Sequence, residues 1–322
     1  MNKSNLRFDL FDRYKSYKHL GQFFLALISI FYFLSHYENR LFSAPLFKIE
    51  KMKEWISNPW IFLVIFLFFL GILVESIRWR ALVRSLEQVT TVRAIAAILM
   101  GAFYGSFMPN RVGEFGGRLL VLQSKNQAKS IPINMLGGTM KFFVNILFGL
   151  LGLIIVFLYH RHFYSHTEKS LSIVLMIVIF VWLTYRYLTH SKLWDKRLSQ
   201  FSYLSEISRK TIAFVFLLSI VRYLIFTSQF LFLLNIFHLP QAFEHWYLVF
   251  VFYLFQTVNP VMSIFDLGLR GLIAESVFGP FHQNFEPILQ SITFLWILNV
   301  ICPAIFGAVI ALIRPIFKKS LQ

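Results

Sequence analysis

Arg111, Glu114 and Arg118 stand in the run PNRVGEFGGR (residues 109–118), where a long apolar stretch breaks at Pro109 and turns into glycines and charges. If Asn110 caps a helix that begins near Arg111, the three ionisable residues fall at i, i+3 and i+7, on one helical face. An arginine beside a helix N-terminus favours an anion through the dipole and through paired N–H donors, the combination that suits a phosphate headgroup. Glu114 then either holds Arg111 or Arg118 in place or carries a proton. The same residues also read as a structural ion-pair network, or as groups lying at a membrane surface. A charge within hydrocarbon costs roughly 2.5–3.5 kcal/mol on insertion scales, so ionisable residues there are functional candidates first.

A second set follows Pro260. Asp266 and Arg270 are at i, i+4, with Gly268, Gly271 and Glu275 around them. They read either as a substrate-facing pair opposite the first set or as a helix cap and turn at the outer surface. Lys141, Arg222 and Gln229 interrupt otherwise apolar runs, which casts them as cavity-facing supports or partners of these carboxylates, or as interhelical hydrogen-bonding groups. His160, His162 and His166 lie in a polar loop with Glu168 as the one nearby carboxylate, a poor metal set. No GxxxxGK[ST] loop, HExxH or nucleophile elbow occurs. The expectation is therefore no catalytic residue, no metal and no cofactor.

These charges must be positioned by membrane helices. The 322 residues are 57% hydrophobic and 14% charged, with 39 phenylalanines, too apolar for a soluble domain. The apolar stretches are continuous, whereas barrel strands of about ten residues alternate. The formal charge of +16 lies mostly between the apolar runs, where Lys and Arg set topology and meet anionic headgroups, so nucleic acid is excluded as a partner. Cys302 is the single cysteine, which excludes an internal disulfide.

Taken in order, full spans are predicted at Gly21 to Tyr37, Pro59 to about Ile77, Ile131 to about Tyr159, Ser170 to Leu188, Thr211 to Phe237 and Ile288 to Ile313. Trp60 and Trp79 frame the second at headgroup depth, and Arg78, Arg80, Arg84 and Arg93 mark its return to the cytoplasm. Two arms, Ala94 to Met108 and Trp246 to Asn259, are too short to span and stop at Pro109 and Pro260. With basic flanks inside, both termini are cytoplasmic and the short arms are re-entrant hairpins. Residues 1–159 and 160–322 each read span, span, short arm, span, in opposite orientation. The fold class is thus an all-α polytopic membrane protein, one domain over 1–322, with about six full spans and two re-entrant hairpins in an inverted repeat. Paired interrupted helices in oppositely oriented halves point to a transporter site at their interface.

At these residues the chain resembles the transmembrane, flippase-like region of the lysylphosphatidylglycerol synthase family. Its Pro-x-Arg-x-Gly-Glu…Arg element is matched by Pro109, Arg111, Gly113, Glu114 and Arg118. Arg78-Trp79 after the second span and Pro303…Gly307 in the last one belong to the same pattern. In the later Gly-x-Gly-x-Arg-Glu element Gly268 and Arg270 match, while Asp266 replaces the first Gly and Gly271 replaces the Glu, so the outer carboxylate is lost or displaced to Asp266 or Glu275. The resemblance implies a membrane protein that binds and translocates an anionic or aminoacylated phospholipid, or a polyprenyl-phosphate-type lipid, in the cell membrane. Because the sequence stops at Gln322, a stand-alone membrane domain without the aminoacyl-transferring domain is expected. An intramembrane lipid-modifying enzyme using Glu114 or Asp266 as base is the alternative, as is a non-catalytic partner of an envelope enzyme. The protein partners allowed are a second copy of the chain or that enzyme.

Overall fold

The computed structural model describes residues 57–108, 111–159, 207–239, 243–257, 261, 263 and 266–319. The spans predicted at Gly21 to Tyr37 and Ser170 to Leu188, the loop histidines, Pro109, Asn110 and Pro260 lie outside them. Every regular element among the described residues is helical. In chain order these are α1 (Pro59–Val83), α2 (Thr91–Ser106), α3 (Gly113–Leu119), α4 (Ser124–Tyr159), α5 (Arg209–Ile236), α6 (Phe243–Thr257), α7 (Leu267–Phe278), α8 (Glu286–Trp296), a π-helical turn Ile297–Ile301, and α9 (Cys302–Lys319).

Four stretches are long and apolar enough to cross a membrane: α1, α4, α5 and the run Glu286–Ile313. This is an integral membrane protein. In α1 the logic is visible residue by residue. Asn58 Oδ1 accepts the Trp60 N–H at 3.1 Å and Pro59 takes the first helical position, where its missing N–H costs nothing. Val64, Phe68, Gly71, Glu75, Arg78 and Leu82 recur at helical spacing and are buried, while Phe62, Phe66, Phe69 and Leu73 point outward as an exposed apolar face suited to lipid.

Two boundaries differ from the sequence reading. Helix α1 runs through Arg78 and Trp79 to Val83, and both side chains are 1% exposed, so the helix does not end in a solvated loop at these residues. Glu75 one turn earlier supplies the counter-charge that lets the helix continue inward. Trp79 Nε1 donates to Asn134 Oδ1 at 2.9 Å. Second, α4 begins at Ser124, so Lys125 and Lys129 are helical and Pro132 sits inside a 36-residue helix. At 1.5 Å per residue it is about 54 Å long, well beyond the ~30 Å hydrocarbon thickness. The last predicted span, Ile288 to Ile313, is met by the run Glu286–Ile313, in which α8 leads through the π turn directly into α9.

Two apolar cores stack along these helices. One gathers Ile61, Val64, Phe230, Leu234, Phe252, Phe278 and Ile292. The other gathers Trp79, Leu82, Ala97, Met100, Ile133, Met140 and Val215. Between them, along α1, α4 and α5, fall Glu75, Lys141 and Arg222. The charges therefore occupy a layer with apolar packing on either side.

The start of α2 is fastened to the α3–α4 junction through Glu87. Its Oε2 accepts the Gln123 N–H at 3.0 Å and Asn126 Nδ2 at 3.1 Å, and its Oε1 accepts Arg93 Nη2 at 3.2 Å. Burial alone would raise this carboxyl group, but the two hydrogen bonds and Arg93 hold it below its ordinary value.

Candidate functional site

Helices α2 and α3 form a hairpin whose closeness comes from glycine. A Cβ at Gly113 would fall on the Tyr104 carbonyl, and one at Gly117 would lie 2.5 Å from the Met100 carbonyl oxygen. Gly101 and Gly105 face back from α2, where a Cβ would meet Glu114 O at 3.0 Å and Glu114 Cγ at 2.7 Å. Two GxxxG faces thus bring the backbones into contact and lay Glu114 and Arg118 against α2. On its other side α2 is met by α9, where Gly307 packs against the Leu99 carbonyl.

The predicted cap at Asn110 is not how α3 starts. The helix begins at Gly113, with Val112 in the capping position and no side-chain hydrogen bond there. Arg111 has φ 55°, a left-handed conformation that keeps it out of the helix and costs a non-glycine residue about 1–2 kcal/mol. The turn aims its guanidinium at Glu114, with Nε 2.7 Å from Oε1. Since α3 has only seven residues, a helix dipole contributes little, and side-chain cations carry the electrostatics.

Glu75, 1% exposed, is the centre of the site. Arg78 grips both its oxygens, at 3.0 and 2.8 Å. Arg118 Nη2 reaches Oε1 at 3.1 Å, Arg222 Nη1 reaches Oε2 at 2.9 Å and Lys141 Nζ approaches Oε1 at 3.5 Å. Arg118 Nη2 also donates to Glu114 Oε2 at 2.9 Å, and Lys141 lies 4.0 Å from the same oxygen. Arg78 continues to the Gly137 carbonyl at 2.7 Å and Ser219 Oγ at 3.4 Å, so one guanidinium ties α1, α4 and α5 together. Four arginines and Lys141 surround two carboxylates, and the arginines alone leave an excess of two positive charges.

Beside this cluster opens a cavity of about 50 Å³. Its polar wall is Glu75, Arg111, Glu114, Arg118 and Arg222; its apolar wall includes Phe68, Ile72, Leu99 and Phe226. The Arg222 guanidinium also stacks over the Phe226 ring, 4.8 Å from its centre. Gln229 and Asn299 close the cavity from α5 and the π turn. Gln229 Nε2 donates to the Val64 carbonyl at 3.2 Å and its Oε1 accepts from Asn299 Nδ2 at 3.3 Å. A π turn frees helix backbone from its usual register and is frequent at functional sites.

The structure therefore brings Arg111, Glu114, Arg118, Lys141, Arg222 and Gln229 together. It does not bring Asp266, Arg270 or Glu275 to them. Asp266 and Arg270 close on each other through two hydrogen bonds of 2.9 Å, with Gln256 Nε2 donating to Asp266 Oδ2 at 3.2 Å. Asp266 sits at the cap of α7 without capping it, because its carboxylate turns to Arg270 instead. Glu275 is half-buried further along α7, where its backbone carbonyl accepts the Gly279 N–H at 2.8 Å. None of the three lines the cavity.

Glu75 and Arg78 are the site residues that the sequence reading passed over. The signal was present: a glutamate inside an apolar run, three residues before an arginine. It was masked by the assumption that the basic residues after Ile77 begin a loop. Among the described residues no group of three or more His, Cys, Asp or Glu side chains is placed to hold a metal ion.

Residues 20–307 match the family described as Lysylphosphatidylglycerol synthase TM region. The chain belongs to this family. No curated protein and no solved structure matches it. Of the residues that carried the resemblance, those of the first motif gather at the cavity, while Gly268 and Arg270 of the later motif lie apart from it. Arg111, Glu114 and Arg118 line the cavity, Gly113 seats the hairpin, and Arg78 backs the cluster from α1.

Proposed function

We propose that this protein is a flippase-like transporter that binds the phosphate-bearing headgroup of an anionic or polyprenyl-phosphate-type lipid and carries it across the cell membrane. Membership of a family tied by name to lipid metabolism supports a lipid ligand. The observation that carries the reading is the surplus of cations in a cavity whose other wall is apolar. A headgroup anion would meet Arg111, Arg118 and Arg222 while its chains stay against Phe68, Ile72, Leu99 and Phe226. Transport is checked by following a labelled anionic phospholipid in proteoliposomes. Wild-type protein is expected to move the headgroup faster than empty vesicles, and Arg111→Ala to slow it at least tenfold, the loss of about one charge-assisted hydrogen bond. Equal rates in all three preparations would end the proposal.

The α2–α3 hairpin and the α6–α7 pair are, on this reading, the two re-entrant elements of an inverted repeat, residues 1–159 and 160–322, within about six spans and with both termini cytoplasmic. Both pairs are short helices joined near a proline, and rocking of the two halves about the cavity would supply alternating access. The arrangement is tested with single cysteines placed beside Pro109 and beside Pro260, after Cys302→Ser. The first is expected to react with an impermeant thiol reagent from the cytoplasmic side and the second from outside. Labelling of both from one side would rule the inverted repeat out.

A further inference from the structure

The cavity's chemistry narrows the headgroup. Both carboxylates are saturated: Glu75 Oε1 faces Arg78, Arg118 and Lys141, its Oε2 faces Arg78 and Arg222, and the Glu114 oxygens face Arg111 and Arg118. The cations are not. Arg118 is 5% exposed, lines the cavity, and its Nε is buried without a hydrogen-bond partner. Arg111 lies against Glu114 through Nε, 2.7 Å from Oε1 but without hydrogen-bond geometry, and Arg222 reaches Glu75 through Nη1, which leaves the other guanidinium N–H groups of both for a ligand. Such an uncompensated cationic surplus between two apolar cores is costly, and a bound anion relieves the cost in proportion to its charge.

From this we infer that the ligand presents a terminal phosphate monoester carrying two negative charges, a lipid phosphate of the phosphatidate or polyprenyl-phosphate type. A phosphodiester offers one charge and two free oxygens. A terminal monoester offers nearly two charges and three strong acceptors, which match three arginines. An aminoacylated headgroup would bring an ammonium among four arginines. The inference rests on the lipid-binding reading above and sharpens it.

The test is a set of binding titrations on the full chain in detergent micelles. The probes are short-chain phosphatidic acid, phosphatidylglycerol, aminoacylated phosphatidylglycerol and inorganic phosphate. At about pH 7.5 the monoester lipid should bind at least tenfold more tightly than the diester, and at about pH 5, below the second phosphate ionisation near 6, the two should converge. The aminoacylated lipid should bind weakest. Arg222→Gln should weaken the monoester about tenfold and the diester by less; Arg111→Gln, at a more exposed position, serves if the first variant does not fold. Equal or tighter binding of the diester at about pH 7.5 overturns the monoester inference and leaves the transport proposal standing. Failure of every anionic lipid to bind overturns both. Inorganic phosphate binding as tightly as the monoester lipid keeps the dianion and overturns the lipid.

Discussion

Glu75→Gln is expected to leave little folded protein. The substitution keeps the volume and one acceptor but removes the negative charge shared by Arg78, Arg118, Arg222 and Lys141. Breaking one side of a buried ion pair costs about 3–5 kcal/mol, because the partner stays buried and uncompensated. Here four partners depend on one carboxylate that is 1% exposed, so the loss lies at or above the upper end of that range. The four cations come from α1, α3, α4 and α5, and their mutual repulsion would push those helices apart. The measurement is the yield of monodisperse protein from membranes together with its thermal unfolding midpoint in detergent. A midpoint unchanged from wild type would show that Glu75 is not the keystone described above.

Gly113→Ala is expected to abolish transport through geometry. The added methyl group would fall on the Tyr104 carbonyl, a backbone atom that cannot rotate away, so α3 must move off α2. Overpacking of this kind costs about 1–3 kcal/mol and occasionally more. The displacement carries Glu114 and Arg118 with it and opens the 2.9 Å bond between them and the 3.1 Å link to Glu75. Gly116→Ala and Gly138→Ala are the controls, since a Cβ at either position meets nothing within 4 Å. Both should transport at the wild-type rate in the proteoliposome assay. Wild-type transport by Gly113→Ala would mean that the hairpin does not need its close approach.

The helical, membrane-embedded character was legible because apolar runs of span length admit few other structures. The first charged motif was legible for the same reason, since Arg111, Glu114 and Arg118 stand out against apolar chain. Lys141, Arg222 and Gln229 were marked as polar interruptions, and three-dimensional folding alone shows that they converge. Helix ends were read poorly at Arg78 and at Lys125. A charge normally signals water, and only the pairing of Arg78 with Glu75 and the depth of the site reverse that signal. The left-handed turn at Arg111 had no signature, because it is imposed by the hairpin and not by a glycine or asparagine. The second motif shows the converse limit. Asp266 and Arg270 have the right spacing to pair and do pair, but the fold places them apart from the cavity wall, which spacing alone does not reveal.

The charge imbalance around Glu75 has a consequence for permeability. Any protein that lets a polar headgroup pass through the bilayer risks conducting protons and metal cations along the same route. If the proposed transport runs past this cluster, the arginine surplus held between two apolar cores would set up an electrostatic barrier to small cations there. On the proposed function, the cluster that would attract the headgroup would thus also insulate the membrane, without a separate steric plug.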